Sequence, residues 1–168
     1  CARVAPPVCV AASNVKPSRP VPLTVVLKAL SVPLAVARIN VERHGLQPRV
    51  TLIESDGLAA VRGPYDLILC NPPYVNAQSM AQLPPEYRAE PTLALAGGSD
   101  GMDFIRRLLR EAPAVMSEDA VLVLEIGNER AHFEAAFPQL PVFWLDTSAG
   151  CDQVLLIERA ALSRFFPS

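Results

Sequence analysis

Acidic residues and glycines are absent from the start of this chain. The first acidic residue is Glu42 and the first glycine is Gly45, although the 168 residues include 17 acidic residues and 8 glycines. Five basic residues precede Glu42, in a chain whose net charge is −2. Soluble domains usually intersperse both signs, so the composition marks a boundary within the chain. The absence excludes a glycine-rich ligand loop and a carboxylate ligand from the residues before Glu42.

Cysteine and histidine pairs with metal-ligand spacing are also missing. The four cysteines form no C-x-x-C motif, and they are Cys1, Cys9, Cys70 and Cys151. We therefore expect neither a metal site nor a disulfide framework, and we interpret Cys70 as a small buried hydrophobe. This cysteine usage predicts a reducing, cytoplasmic setting.

Long uninterrupted apolar runs are missing too. The apolar stretch over residues 21–37 is broken by Pro22, Lys28 and Pro33, so it is too short and too interrupted to span a bilayer. The net charge of −2 and a pI near 5.7 argue against a surface that holds nucleic acid by its phosphates. We expect neither a membrane nor a directly bound nucleic acid as partner.

From Leu34 onward the chain alternates regularly between helical and strand patterns. The expected helices cover residues 34–44, 102–116 and a segment that Asn128 caps and that ends before Pro138. The expected strands cover residues 50–54, 65–70, 120–126, 142–146 and 153–158. This order predicts an α/β three-layer fold with a mostly parallel sheet and a C-terminal antiparallel strand pair. Before Pro33, only residues 23–27 favour a strand.

An apolar strand runs directly into Asn71-Pro72-Pro73-Tyr74. Two consecutive prolines end strand pairing, because proline has no N–H to donate and its φ is fixed. The corner therefore lies at the carboxyl end of a strand, where open α/β sheets bind ligands. There Asn71 offers an amide, Pro72 a backbone carbonyl and Tyr74 an aromatic face. This set suits a planar –NH2 group, which needs two acceptors and a surface for its π-face.

With this tetrapeptide the chain resembles class I S-adenosylmethionine-dependent methyltransferases, which have a Rossmann-like fold. It is most similar to the family that methylates a glutamine side-chain amide in protein three of the large ribosomal subunit. Further segments carry the resemblance, in order: Leu-Pro-Pro-Glu-Tyr-Arg-Ala-Glu-Pro at 83–91, Leu-Ala-Gly-Gly-Ser-Asp-Gly at 95–101, Arg-Arg at 106–107, Glu-Ile-Gly-Asn at 125–128 and Phe-Trp-Leu at 143–145. The resemblance covers residues 34–159.

The resemblance implies roles for particular residues. Asn71, Pro72, Pro73 and Tyr74 would form the catalytic corner, with Asn71 also beside the cofactor. Asp56 would accept a hydrogen bond from the adenine amino group of S-adenosylmethionine, although an Asp-Gly turn is the alternative reading of that position. The substrate partner would be the large-subunit ribosomal protein.

For the other polar positions, a structural role explains the residue as well as a functional role does. Arg88 and Glu90 would order the loop over the substrate, or form a local ion pair. Glu125 would line the cleft, or have a structural role at the end of its strand. We interpret His44 and His132 as solvated and Trp144 as core.

The chain also departs from that family. The family has a glycine-rich loop after its first strand and an acidic residue at the end of its second, where Lys28 stands here. We therefore expect residues 1–33 to be an aberrant or poorly ordered segment that replaces the cofactor motif, as an upstream frame shift would produce. Residues 34–160 would form the catalytic domain, with a sheet incomplete on its N-terminal side, and 161–168 a tail.

Three alternatives remain open at this point. The tetrapeptide could be a strand-ending turn with no chemistry, since Asn before Pro commonly starts turns. The chain could be a non-catalytic remnant without a working cofactor pocket. It could also be an adenine amino-methyltransferase acting on nucleic acid, because such enzymes share a similar tetrapeptide.

Overall fold

A computed structural model describes residues 8–12, 23–27, 31–76, 97–148 and 150–167. These residues form one seven-stranded sheet flanked by helices. The strands are β1 (Val8–Ala12), β2 (Leu23–Leu27), β3 (Val50–Glu54), β4 (Tyr65–Asn71), β5 (Met116–Glu125), β6 (Phe143–Thr147) and β7 (Gly150–Glu158). The helices are α1 (Ser31–Arg43), α2 (Asp103–Glu111), α3 (Arg130–Ala136) and α4 (Arg159–Phe165), with a 3-10 turn at Ala112–Val115.

The strand order is β3-β2-β1-β4-β5-β7-β6. Pairing is parallel between β2 and β3 and between β4 and β5. It is antiparallel wherever β1 or β7 takes part. Five strands therefore share one direction, and β1 and β7 run against them. The predicted α/β class and the C-terminal antiparallel pair are confirmed.

The first 33 residues of the chain contribute two strands to the sheet. The strand expected over residues 23–27 is confirmed as β2, whereas β1 has no counterpart among the predicted elements. β1 occupies the centre of the sheet between β2 and β4, and it is antiparallel to both neighbours. The N-terminal segment therefore fills the middle of the sheet with one strand reversed.

Two predicted helix boundaries were wrong. The helix expected over residues 102–116 ends at Glu111 and continues only as a 3-10 turn, and strand β5 begins at Met116. Pro113 accounts for this, because a proline in a helix interior has no N–H and clashes with the preceding turn. Asn128 does not cap α3, which begins at Arg130; its Oδ1 instead accepts a hydrogen bond from Gln153 Nε2 at 3.2 Å.

The expectation that no disulfide forms was also wrong. Cys9 of β1 and Cys70 of β4 are disulfide-bonded. They face each other in the antiparallel register of the two strands, although 61 positions separate them in the chain. Cys70 is buried, as expected, but as half of a cross-strand bond. Cys151 is free and exposed.

One face of the central strands carries the hydrophobic core. Ile68 of β4, Leu122 and Leu124 of β5 and Leu155 and Ile157 of β7 are fully buried there. They belong to a cluster that includes Ile105, Leu108 and Leu109 of α2, Phe133 of α3 and Leu162 of α4. The opposite face is more open, since Leu69 of β4 keeps 42% of its surface exposed. That open face adjoins the carboxyl end of β4.

Candidate functional site

Asn71 is the last residue of β4 and lies at the carboxyl edge of the sheet. Since Cys70 pairs with Leu124 in the parallel ladder, Asn71 lies beside Glu125, the last residue of β5. Both side chains are half-buried and line a cavity of about 260 Å³. The other lining residues are Val10, Leu69, Cys70, Val123 and Val154. An apolar cavity with one amide and one carboxylate among its lining residues therefore opens beside Asn71, and Pro72, Pro73 and Tyr74 do not line it.

The corner itself is tightly packed. Pro72 and Pro73 are buried, and Tyr74 packs partly exposed against the core. The Tyr74 ring lies against Gly127, because a Cβ atom on that glycine would lie 2.6 Å from Tyr74 Cε2. Gly127 also has a φ of +54°, which favours glycine. Its missing side chain therefore makes room for the Tyr74 ring.

This contact predicts the effect of replacing Gly127. Gly127→Ala introduces left-handed backbone strain of about 1–2 kcal/mol and also displaces the Tyr74 ring. Both effects lower the free energy of unfolding, which urea denaturation measures. Gly45→Ala is the matched control, since Gly45 has a φ of +61° and no atom within 4 Å of an added Cβ. We expect a larger loss at Gly127 than at Gly45. Equal losses would mean that the ring does not depend on Gly127.

The chain returns to the corner after residues 77–96. Gly97 N donates to Val75 O at 2.9 Å, and Asp103 N donates to Gly97 O at 2.9 Å. Gly101 allows a close approach to the Tyr74 carbonyl, because an added Cβ would lie 2.3 Å from that oxygen. The segment that leaves the corner is therefore joined by backbone bonds to the one that precedes α2.

Asp100 holds this returning segment through its carboxylate. Its Oδ1 accepts hydrogen bonds from Met102 N at 3.0 Å and from Arg106 Nη1 at 3.1 Å, and its Oδ2 pairs with Arg106 Nη2. The hydrogen bond from Arg106 is the main cause that lowers the pKa of Asp100 to about 2. An unfolded aspartate has a pKa near 3.9.

The lowered pKa predicts a pH dependence of stability. Because the folded pKa of Asp100 lies below the unfolded one, its contribution is complete above about pH 4 and is lost as the pH falls through about 2. Asp100→Asn should therefore destabilise the chain at pH 6, and its difference from the wild type should shrink toward pH 2. Urea unfolding at several pH values measures this. Asp119→Asn, at an exposed position, is the control; an undiminished difference for Asp100→Asn at pH 2 would contradict the assignment.

Two further buried polar side chains adjoin the corner, and sequence reasoning did not find them. Asn76 and Glu129 are each 7% exposed. Asn76 Nδ2 donates to both carboxylate oxygens of Glu129 at 3.0 Å, and His132 Nδ1 lies 2.6 Å from Glu129 Oε2. His132, expected to be solvated, keeps 48% of its side chain exposed but pairs with this carboxylate. A Glu and a His three positions apart at a helix start were the only sequence signal.

Asp56 follows β3 and is paired with a cation. Its carboxylate accepts two hydrogen bonds from Arg107, at 2.7 Å from Nη1 and 2.9 Å from Nη2. That pairing raises the pKa of Arg107 above its ordinary value. Strands β2 and β1 lie between β3 and β4 in the sheet, so Asp56 and Asn71 lie at or just after the ends of strands that are not neighbours. The role of Asp56 as an adenine acceptor stays a prediction.

The direction of β1 decides what lies beside Asn71. Val8, the first residue of β1, pairs with Asn71, and Ala12, the last, pairs with Leu67. β1 therefore ends, at Ala12, at the edge of the sheet opposite to Asn71. In a parallel first strand, the following turn would face Asn71 instead. Lys28 and the loop residues Arg88, Glu90 and Pro91 lie outside the described residues.

The structure also places three other side chains that the sequence analysis singled out. Glu125 lines the cavity, His44 is exposed, and Trp144 packs against the core with Arg130 4.4 Å above its ring. Over the residues that the structure describes, no group of three His, Cys, Asp or Glu side chains could hold a metal ion. No described helix is long and apolar enough to cross a membrane.

The chain is similar to methyltransferases in sequence. Residues 10–83 match the family described as Methyltransferase small domain. The chain is 57% identical over 131 residues to the ribosomal protein uL3 glutamine methyltransferase of Bordetella pertussis, and 52% identical over 137 residues to the protein of that name from Burkholderia pseudomallei. Each match covers 77% of this chain, but 44% and 45% of the two relatives. The chain thus spans less than half the length of these relatives.

The fold is also similar to a solved structure. A methyltransferase from Pyrococcus furiosus superposes with a TM-score of 0.52 at 18% identity, covering 80% of this chain and 61% of that one. At this identity the likeness concerns the fold alone. Together with the sequence relatives, it confirms the resemblance and the Rossmann-like α/β class expected from the sequence.

Proposed function

We propose that this chain, a homologue of the ribosomal protein uL3 glutamine methyltransferases, carries the acceptor site for methylation of a glutamine side-chain amide in uL3. The observation that carries the proposal is the position of Asn71. It lies at the carboxyl edge of the sheet, lines an apolar cavity of about 260 Å³, and precedes a rigid buried corner that ends at Tyr74. Sites that bury a whole small ligand usually measure about 300–1,000 Å³, so this cavity suits one side chain.

The acceptor chemistry follows from the residues of the corner. A glutamine amide nitrogen is a poor nucleophile, because its lone pair is delocalised into the carbonyl. Asn71 Oδ1 and the Pro72 carbonyl would each accept one N–H, and the Tyr74 ring would pack on the amide plane. Pro73 keeps the corner rigid, so the acceptors are already oriented when the substrate arrives. Such positioning is worth roughly 7–11 kcal/mol in favourable cases.

The methyl group would come from S-adenosylmethionine, the sulfonium donor of class I methyltransferases. The described residues do not fit the methionine and ribose ends of this cofactor. No glycine precedes Gly45, and β1 ends at the edge of the sheet away from Asn71. Asp56 fits the adenine end only if it exchanges Arg107 for the adenine amino group. We therefore assign substrate orientation, and no transfer step, to this chain's residues.

The proposed partner is uL3, and the proposed setting is the cytoplasm, where ribosomal proteins are made. The buried disulfide removes the argument for a reducing compartment that the cysteine spacing had offered, so this setting rests on the substrate. We propose no direct nucleic-acid or membrane partner, in keeping with the net charge of −2.

A second candidate function is binding without catalysis. The reversed direction of β1 favours it, because a remnant can keep the substrate edge of the sheet without the cofactor loop. An adenine amino-methyltransferase is the third reading. Against it, the chain is acidic overall and its curated relatives are named for a protein substrate.

Calorimetric titration of purified uL3 into the chain tests the acceptor site, with duplex DNA as the competing ligand. We expect saturable binding of uL3 that DNA does not reduce. Tyr74→Ala should weaken it, whereas Tyr65→Phe, which removes only a hydroxyl bonded to Thr24, should not. Binding of DNA in preference to uL3 would overturn the proposal.

A further inference from the structure

Few polar side chains are buried in the described residues, and two of them touch each other beside the corner. Among the described residues, the buried polar or charged ones are Ser55, Asn76 and Glu129. The two that touch are Asn76 and Glu129. A buried carboxylate costs several kcal/mol unless it is paired and hydrogen-bonded. Among the described residues, Glu129 meets this requirement through Asn76 and His132. The packing around Glu129 thus depends on a specific set of polar contacts.

These contacts lie next to the contact between the Tyr74 ring and Gly127. Asn76 is two residues beyond Tyr74, and Glu129 is two residues beyond Gly127. The Tyr74 ring lies on Gly127, and the Asn76 amide bonds to Glu129. The segments 74–76 and 127–129 are therefore joined at two corresponding points. A shift of Glu129 would therefore act on the segment that carries the ring through the Asn76 amide.

The Asn76–Glu129 pair also fixes the orientation of the amide relative to the carboxylate. Apolar packing alone would not fix such an orientation. Asn76 Nδ2 is 3.0 Å from each of the two carboxylate oxygens, so the amide points at the centre of the carboxylate. His132 contacts Oε2 from the α3 side at 2.6 Å and restrains the rotation of that carboxylate. An apolar pair of the same size would fill the space but would leave the segment free to slide.

We propose that Glu129, held by His132, is a positioning residue for the acceptor site. Through Asn76 it sets the plane of the Tyr74 ring on which the substrate carboxamide packs. The inference rests on the proposed function for its substrate, and it adds residues that lie outside the Asn71–Tyr74 corner. Glu129 and His132 do not touch the substrate themselves.

The test compares two carboxylates near the same helix. Glu129→Gln keeps the size and one acceptor oxygen but loses the charge and the symmetric pairing. Glu134→Gln is the matched control, since the Glu134 side chain is 52% exposed and pairs with Arg130 at the surface of α3. The readouts are the ring resonances of 13C-labelled tyrosine and the affinity for uL3. Tyr65, which is buried elsewhere in the core, is the internal reference, and Tyr74→Phe assigns the Tyr74 signal.

We expect Glu129→Gln to shift the Tyr74 resonance, to leave the Tyr65 resonance in place and to weaken uL3 binding by about tenfold, because the Tyr74 ring is no longer held in one plane. Glu134→Gln should change neither. If Glu129→Gln does not fold, His132→Gln gives the same comparison with Glu129 retained, and a smaller change in the same direction is expected.

The two proposals fail in different ways. A wild-type chain that does not bind uL3 overturns the proposed function and this inference with it. A wild-type chain that binds uL3, while the folded Glu129 or His132 variant binds within twofold and shows an unmoved Tyr74 signal, overturns the inference alone.

Discussion

Asn71→Ala is expected to weaken the binding of uL3 at least tenfold without lowering the unfolding temperature. The substitution removes one of two acceptors for the substrate amide, and an unpaired N–H in a partly buried site costs about 1–3 kcal/mol. Asn71 is half-buried at the end of β4, so its side chain contributes little to the core. Calorimetric titration with uL3 measures the affinity, and circular dichroism measures the thermal transition.

Asn40→Ala is the control for this experiment. Asn40 is exposed on α1, so its truncation should leave uL3 binding unchanged. An Asn71→Ala chain with wild-type affinity would remove Asn71 from the acceptor site. A chain that loses affinity together with its thermal transition would assign Asn71 a structural role instead.

S-adenosylmethionine is expected not to bind the purified chain measurably at about 1 mM, which sets a limit near −4 kcal/mol on its binding free energy. The reason is the reversed β1. It ends, at Ala12, at the edge of the sheet away from Asn71, and no glycine is present before Gly45 to let backbone N–H groups approach the cofactor. Calorimetric titration of the cofactor, with and without uL3 present, is the measurement.

The uL3-containing arm separates two explanations. Heat that appears only with uL3 would indicate that the substrate completes the cofactor site. Saturable binding of the cofactor alone, with a dissociation constant well below 1 mM, would contradict the expected result and would favour a catalytic chain over a binding remnant.

The diproline corner and its place at the end of β4 were predictable from sequence because every part of the corner is local. The apolar run from Tyr65, the two prolines and the tyrosine are consecutive, and the direction of β4 decides at which edge they lie. Its neighbour Glu125 was accessible for the same reason, as the end of a second apolar strand. Parallel pairing of β4 with β5 then brings the two residues together.

Other features depend on pairings between distant segments. Asn76 and Glu129 are 53 positions apart, and neither carries a motif that selects the other. The direction of β1 is set by its pairing with both β2 and β4, and five apolar or small residues fit either direction equally well. The Cys9–Cys70 bond follows from that register and was invisible for the same reason.

Asp56 illustrates a different difficulty. The Asp-Gly pair after β3 suggested either a ligand or a turn, and in the structure the aspartate faces a guanidinium from α2. The segment Arg106-Arg107 supplies the cation of three ion pairs, with Asp56, Asp100 and Asp103. Sequence alone identified these arginines as part of the resemblance but gave no reason to join them to Asp56 or Asp100.

Within the described sheet, β2 and β3 connect to the other four strands only through β1. The backbone hydrogen-bond ladders between the two parts pass through Val8–Ala12, five residues in all. If that strand detaches, β2 and β3 lose their backbone pairing to the rest of the sheet at the same time, while β4 to β7 keep their own ladders. The sheet thus has a built-in line of separation, and amide exchange in β2 and β3 should follow the opening of this one short strand.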